Sequence, residues 1–267
     1  MKLNDHLSCE NNTFILRIFR GHPGKQYWEE FELEKRPGMN AILALMQIQR
    51  NPINRKGELV TPVVYESGCL EEVCGSCSML VNGIPRQACT ALIDKLIAAT
   101  NSNVVTLAPF TKFPLVRDLI VDRSSMFENL KQFSAWVEVD SSIDEGFGPK
   151  ISQDKQEIMY QLSKCMTCGC CLEGCPQVNS HSSYMGPALA SQVRLFNLHP
   201  IAGLQKSKRL HEMMKEGGIS GCSSAQNCVR VCPQKLPLTD SLAVIFRDTL
   251  KQAIKDIFSL PERDSHG

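Results

Sequence analysis

The sequence predicts an α+β fold in which a small N-terminal sheet covered by a helix gives way to an all-helical second domain. Three observations carry this. Strand-like apolar alternation is confined to the first hundred or so residues, and helical spacing replaces it after Pro109. The length of 267 residues suits two cores at about 100–150 residues per domain. We place the boundary near residues 108–112, giving domains of residues 1–110 and 111–267.

In order along the chain, Thr13 to Arg20 (TFILRIFR) is rich in β-formers, and Trp28 to Leu33 (WEEFEL) alternates after the turn signal Gly21-His22-Pro23-Gly24, which reads as a hairpin. Met39 to Arg50 places Ile42, Leu45, Met46 and Gln49 at helical spacing between a Pro37-Gly38 break and Pro52. Ser78 to Val81 and Val104 to Leu107 read as further strands, with Asn82-Gly83 as a turn. Beyond Pro109, amphipathic segments follow at Leu115 to Asp122, Ser125 to Val137, Gln153 to Lys164, Pro187 to Leu198, Lys206 to Lys215 and Thr239 to Phe258.

Composition narrows the function classes. Apolar residues make up 43% and charged residues 21%, ordinary for a globular chain, and a formal charge of +1 argues against a nucleic-acid or anionic-membrane surface. The polar stretch Met1 to Asn12 lacks the apolar core of a secretory signal, so we expect the protein to stay in the cytoplasm. No run approaches the roughly 18 apolar residues of a bilayer span, so membrane association is expected only through a partner.

The 13 cysteines stand out. In a reducing compartment such a chain more often binds metal than forms disulfides. All but Cys9 fall into three groups: Cys69, Cys74, Cys77 and Cys89; Cys165, Cys168, Cys170, Cys171 and Cys175; and Cys222, Cys228 and Cys232. The first begins with the C-x4-C-x2-C spacing of plant-type [2Fe–2S] ferredoxins. Two bridged irons need four thiolates converging from one wrapped loop, and Gly68 and Gly75 let the backbone come close; Cys89 supplies the fourth thiolate across the Asn82-Gly83 turn. A structural zinc site is the alternative, although such sites usually pair two short C-x2-4-C knuckles.

Cys165-x2-Cys168-x2-Cys171-x3-Cys175-Pro176 matches the bacterial ferredoxin run C-x2-C-x2-C-x3-C-P, in which the fourth cysteine ligates the other cluster. The second run is Cys222 to Pro233, with Cys222, Cys228 and Cys232 in the first, third and fourth places and Ala225 in the second. By crossover, Cys165, Cys168, Cys171 and Cys232 complete a [4Fe–4S] site. Cys175, Cys222 and Cys228 are left for a [3Fe–4S] cluster, with a [4Fe–4S] cluster carrying water or a foreign ligand at the Ala225 corner as the alternative. Cys170 reads as a surplus buried thiol and Cys9 has no neighbours, so neither is assigned a function.

Three clusters of different ligand count suit a one-electron relay better than structural staples. There is no Gly-rich dinucleotide fingerprint, P-loop or nucleophile elbow, and His6, His22, His181, His199, His211 and His266 are scattered, so no catalytic residue is assigned and substrate chemistry is expected on a partner. The order of the three motifs, with GSCSMLVNGIPRQACTAL (Gly75 to Leu92), resembles the iron–sulfur subunits of succinate dehydrogenases and fumarate reductases over nearly the whole chain. That resemblance implies a β-grasp plant-type ferredoxin domain followed by a bacterial-ferredoxin-like helical domain. It further implies a flavoprotein partner with covalent FAD, a membrane-anchor subunit that holds the chain peripherally at the cytoplasmic face, and delivery of electrons to quinone, linking the tricarboxylic acid cycle to the respiratory chain.

Two departures bear on the branch. Leu70-Glu71-Glu72-Val73 follows the first cysteine where many members have Arg, which resembles the Gram-positive type with a di-haem cytochrome b anchor (haem b) and menaquinone. Gln177-Val178-Asn179-Ser180 stands where ubiquinone-reducing members place tryptophans. The rival within the family is quinol:fumarate reductase, running the reaction backwards; the rival from another class is a zinc-stabilised interaction module.

Overall fold

The computed structural model describes residues 12–137 and 150–258; Cys9, His6 and His266 lie outside them. The chain divides into two compact units, Met1–Asp122 and Arg123–Gly267.

In the first unit, β1 (Thr13–His22) and β2 (Lys25–Glu34) form the expected antiparallel hairpin, with Phe14, Leu16 and Ile18 buried on one face of β1. Helix α1 (Ala41–Arg50) follows, then β3 (Ser78–Val81), β4 (Ile84–Gln87), helix α2 (Ile93–Thr100) and β5 (Val104–Ala108). The five strands lie in the order β2-β1-β5-β3-β4, with β5 parallel to β1 and antiparallel to β3. Between β3 and β4, Asn82 and Gly83 both have positive φ (49° and 75°), the geometry that matches the twist of a two-residue hairpin.

Asn40 caps α1 by accepting from the Leu43 N–H at 2.9 Å, while its amide donates to the Cys89 carbonyl at 2.8 Å. One side chain therefore ends a helix and fixes the segment carrying a candidate ligand. The buried face of α1 is Ala41, Ile42, Ala44, Leu45 and Ile48, not the stripe through Met46 and Gln49 that the spacing suggested; Met46 is exposed. Truncating Leu45 or Ile48, both fully buried, would cost about 2–5 kcal/mol by cavity formation. Helix α2 was not anticipated, because its eight residues are too short for a clear period; it ends at Asn101 in the left-handed region.

Residues 115–122 were expected to be helical and instead form a hairpin, β6 (Leu115–Arg117) and β7 (Ile120–Val121). Val116, Ile120 and Val121 are β-branched, and Asp118 turns the chain with φ 47°. Asp118 is buried and central: Oδ1 accepts the Gly21 N–H at 2.8 Å, and Oδ2 accepts the Val64 N–H at 2.9 Å and Arg20 at 3.3 Å. Arg20, also buried, pairs with Glu29 as well. These ties hold the hairpin to the first compact unit, which ends at Asp122.

The second unit is helical: α3 (Ser124–Gln132), α4 (Gln153–Ser163), α5 (Cys170–Glu173), α6 (Pro187–Leu198), α7 (Lys206–Met214), α8 (Asn227–Val231) and α9 (Leu238–Phe258). Helix α3 stops short of Val137 because Ser134 adopts φ 50°. Pro187 opens α6 at a position where its missing N–H costs nothing. Phe133, Leu189, Val193, Met213 and Ile245 form the core beneath α6, α7 and α9. Fully buried Arg209 on α7 donates to the carbonyls of Ser134, Trp136 and Ala202 and to Asn197, so the loop after α3 is fastened by one guanidinium.

Replacing Asp118 by Asn should destabilise the full chain by about 3 kcal/mol, because an amide must turn its NH2 towards one of three donors in a buried ion-pair site. Denaturant unfolding of wild type and variant at one pH measures this; a change below about 0.5 kcal/mol would remove Asp118 from its central role.

Candidate functional site

In the first unit, the loop from Cys69 to Cys77 wraps with Leu70 and Glu72 at φ 60° and 59°. Alternating left-handed residues aim successive amides to one side, forming an anion-binding concavity at a strain of about 1 kcal/mol or more per non-glycine residue. The amides of Glu71 and Val73 donate to Cys69 Sγ at 3.3 and 3.4 Å, and that of Cys69 donates to Cys74 Sγ at 3.5 Å. The Cys69 N–H and the Ser76 hydroxyl and N–H hold the Cys74 thiol down at about 6. Burial, with neighbouring Cys77 and Cys69, pushes Cys89 up to about 12. The structure thus brings Cys69, Cys74, Cys77 and Cys89 into one electrostatic group. Cys77 contacts buried Gln87 at 3.4 Å, whose amide is oriented by Ser78 at 2.8 Å, and Thr90 holds Glu72 at 2.8 Å. At Gly68, a Cβ would lie 3.1 Å from Cys74 Sγ and 3.5 Å from Ser76 Oγ, so the loop passes too close to the sulfur for a side chain.

The second unit holds two sites. Cys165, Cys168, Cys171 and Cys232 line one narrow cavity, and Cys175, Cys222 and Cys228 line a wider one of about 210 Å³. Electrostatics follow the same division in the main: Cys165 senses Cys168 and Cys232, Cys228 senses Cys175 and Cys222, and Cys171 senses Cys168, Cys165 and Cys232 before Cys228. Both loops repeat the alternation of the first unit, with positive φ at Thr167 and Gly169 around Cys168, and at Ser224 and Gln226 around Ala225. Ala225 therefore sits in the backbone position that Cys168 occupies in the companion loop. The fourth cysteine of each run reaches the other site where α5 and α8 pack, Gly174 lying so close to Val231 that a Cβ would meet its side chain at 2.9 Å.

Burial raises the pKa of Cys165, Cys171, Cys228 and Cys232, the thiol form being the less costly one in an apolar setting. Cys168 is the exception, lowered to about 7 by the Cys170 side chain and backbone, with Arg123 adding its charge. Cys170 is buried, as expected, but it is not idle: it supports the Cys168 sulfur. The Leu236 amide donates to Cys232 Sγ at 3.4 Å, and Gln192 hydrogen-bonds Cys165. Cys170, Arg123, Gln192, Gln87 and Tyr184 were missed in the sequence, where no spacing rule marks residues that contact ligands only through the fold.

The cysteines of all three groups are thiols outside any disulfide. Among the described residues, no three His, Cys, Asp or Glu side chains close on a single ion. A zinc with Zn–S of about 2.3 Å would draw four sulfurs to about 3.8 Å of one another. Sulfurs that surround a common space, several of them backed by backbone amides, suit a core of several irons, each binding one thiolate.

Comparison with known proteins agrees. A family model described as a 2Fe-2S iron–sulfur cluster binding domain matches residues 15–128, and one described as a 4Fe-4S dicluster domain matches residues 161–236. The succinate dehydrogenase iron–sulfur subunit of Bacillus subtilis is 54% identical over 232 residues, covering 87% of this chain and 90% of the relative. The chain belongs to the succinate dehydrogenase iron–sulfur subunit family. The fumarate reductase iron–sulfur subunit of Wolinella succinogenes is more distant, at 27% identity over 87% of this chain and 95% of its own length. In fold, a chain of the Mycobacterium smegmatis Sdh1 complex in the apo form superposes with a TM-score of 0.76 at 22% identity, covering 91% of this chain and 97% of that one. Membership in the succinate dehydrogenase iron–sulfur subunit family accords with an α+β fold of two ferredoxin-type parts carrying [2Fe–2S], [4Fe–4S] and [3Fe–4S] clusters.

Replacing Gly68 by Val should crowd Cys74 and weaken retention of the [2Fe–2S] cluster about tenfold. Decay of its EPR signal under chelator challenge, with the other two signals as internal references, provides the measurement; equal decay in wild type and variant would show that the close approach is dispensable.

Proposed function

We propose that this chain is the electron-transfer subunit of a succinate:quinone oxidoreductase, carrying electrons from a flavoprotein's FAD towards quinone at a membrane anchor. Cys69, Cys74, Cys77 and Cys89 would hold the [2Fe–2S] cluster, Cys165, Cys168, Cys171 and Cys232 the [4Fe–4S] cluster, and Cys175, Cys222 and Cys228 the [3Fe–4S] cluster. The observation that carries this reading is the sorting of eleven sulfurs into groups of four, four and three, with Ala225 at the place of the missing twelfth.

When bound, the clusters supply one-electron carriers whose potentials depend on their type and surroundings. The chain's own part is to hold thiolates and screen them. Amides of Glu71 and Val73 and of Leu236 donate to sulfur, Arg123 offsets charge near Cys168, and the methyl of Ala225 offers nothing to a fourth iron. Burial keeps water from Cys77, Cys89, Cys168, Cys171 and Cys228, which lowers the reorganisation that each change of charge demands there.

Among the described residues no helix is long and apolar enough to cross a membrane. We infer peripheral attachment through the anchor subunit, on the cytoplasmic side. The Leu70–Val73 loop and the absence of tryptophan after Pro176 support a di-haem cytochrome b anchor and menaquinone. Succinate oxidation is favoured over fumarate reduction by 54% identity to the succinate dehydrogenase relative against 27% to the fumarate reductase one. The zinc-module reading is disfavoured by the matches to a 2Fe-2S cluster binding domain and a 4Fe-4S dicluster domain.

Two measurements test the proposal. Anaerobically purified chain should carry about nine irons, and Ala225→Cys should convert the three-iron EPR signal into a four-iron one; an unconverted signal in a folded variant would refute the ligand assignment. Reconstituted with its partners, the complex should reduce a menaquinone analogue with succinate at least about tenfold more efficiently, as kcat/KM, than a ubiquinone analogue; the reverse order would overturn the quinone assignment.

A further inference from the structure

Tyr184 lies in the segment entering α6 and is 6% exposed. Its position is narrowly determined. The Ser182 hydroxyl accepts the Tyr184 N–H at 3.1 Å, the next amide, Met185, donates to the Gly217 carbonyl at 2.9 Å, and the ring packs on Gly221, where a Cβ would come within 2.7 Å of it. The ring thereby lines the wider cavity beside Cys175, Cys222 and Cys228. Its hydroxyl is buried and completes no hydrogen bond with the protein, an arrangement that is costly unless another acceptor is supplied. The contact with Gly221 sets the ring against the residue that precedes Cys222, and of the three sulfurs whose charge the phenol senses Cys222 acts on it most strongly.

We propose that Tyr184 tunes the three-iron cluster: its phenolic O–H donates to the Cys222 sulfur once that thiolate ligates iron, and so raises the cluster's reduction potential. The inference rests on the reading in which Cys175, Cys222 and Cys228 hold that cluster. A bound thiolate is an acceptor with no proton of its own, so it offers the phenol what a free thiol does not. An added electron increases negative charge on the sulfurs, and a donor aimed at one of them stabilises the reduced form more than the oxidised form. An ordinary phenol, with a pKa of about 10, keeps its proton throughout the physiological range. The four-iron site is supported differently, by Cys170, Arg123 and backbone amides, so the phenol distinguishes the two sites.

EPR-monitored redox titration of the assembled complex, wild type against Tyr184→Phe, tests this. The Phe ring fills the same space, so the three-iron signal should keep its intensity. Its reduced-to-oxidised ratio at a fixed potential should fall about five- to tenfold, a midpoint drop of about 40–60 mV at roughly 59 mV per tenfold for one electron. The other two midpoints should stay in place, and a solvent-exchangeable proton coupling at the three-iron cluster should disappear. A full three-iron signal with an unmoved midpoint overturns the role of Tyr184, as does loss of the cluster in a variant that preserves the ring. No three-iron signal in the wild type would instead overturn the ligand reading beneath it.

Discussion

Sulfur buried in protein poses a constraint that the rest of this molecule answers. A thiolate removed from water is costly unless cations or hydrogen-bond donors receive its charge, and most of the cysteines here lie where burial alone favours the neutral thiol. The chain answers with backbone rather than with charge. Each cysteine loop alternates left-handed residues, Leu70 and Glu72, Thr167 and Gly169, Ser224 and Gln226, and only one of these six is glycine. Such strain persists because both units pin the loops from outside, through Asn40 at Cys89 in one and through the packing of α5 on α8 in the other.

Each unit also has a fully buried arginine that organises an irregular segment. Arg20 and Asp118 attach the β6–β7 hairpin to the sheet, and Arg209 gathers the carbonyls that follow α3. The β6–β7 ladder is only a few residues long and the stretch after α3 has none, so polar backbone groups there are met by these side chains. The scaffold that holds the cluster loops thus depends on two cations far apart in sequence from what they bind.

The cysteine groups were legible because inorganic cores dictate short-range spacing, and spacing survives in a sequence whatever the fold around it. The hairpin of β1 and β2 and the long helices α6 and α9 were legible for a similar reason, each having enough residues to show a period. Residues 115–122 misled because their apolar spacing suits a helix, while Asp118, whose partners Gly21 and Val64 are remote in sequence, makes a turn. The α1 face was misjudged by one step around the helix, since Met46 fits the period but Ile48 is the residue that enters the core. Cys170 and Tyr184 lay beyond reach for a different reason. Their contacts with Cys168 and Cys222 arise only when loops distant in sequence come together, and nothing in their immediate neighbours announces it.

The exchange of Cys175 and Cys232 between the two loops of the helical unit bears on how such a protein is made. On the proposed ligand assignment, neither metal centre would receive its full set of ligands until both stretches of chain have met, so a ribosome that has released only the first stretch would present a site with one corner open. On that assignment, completion of either centre waits on the later stretch of chain.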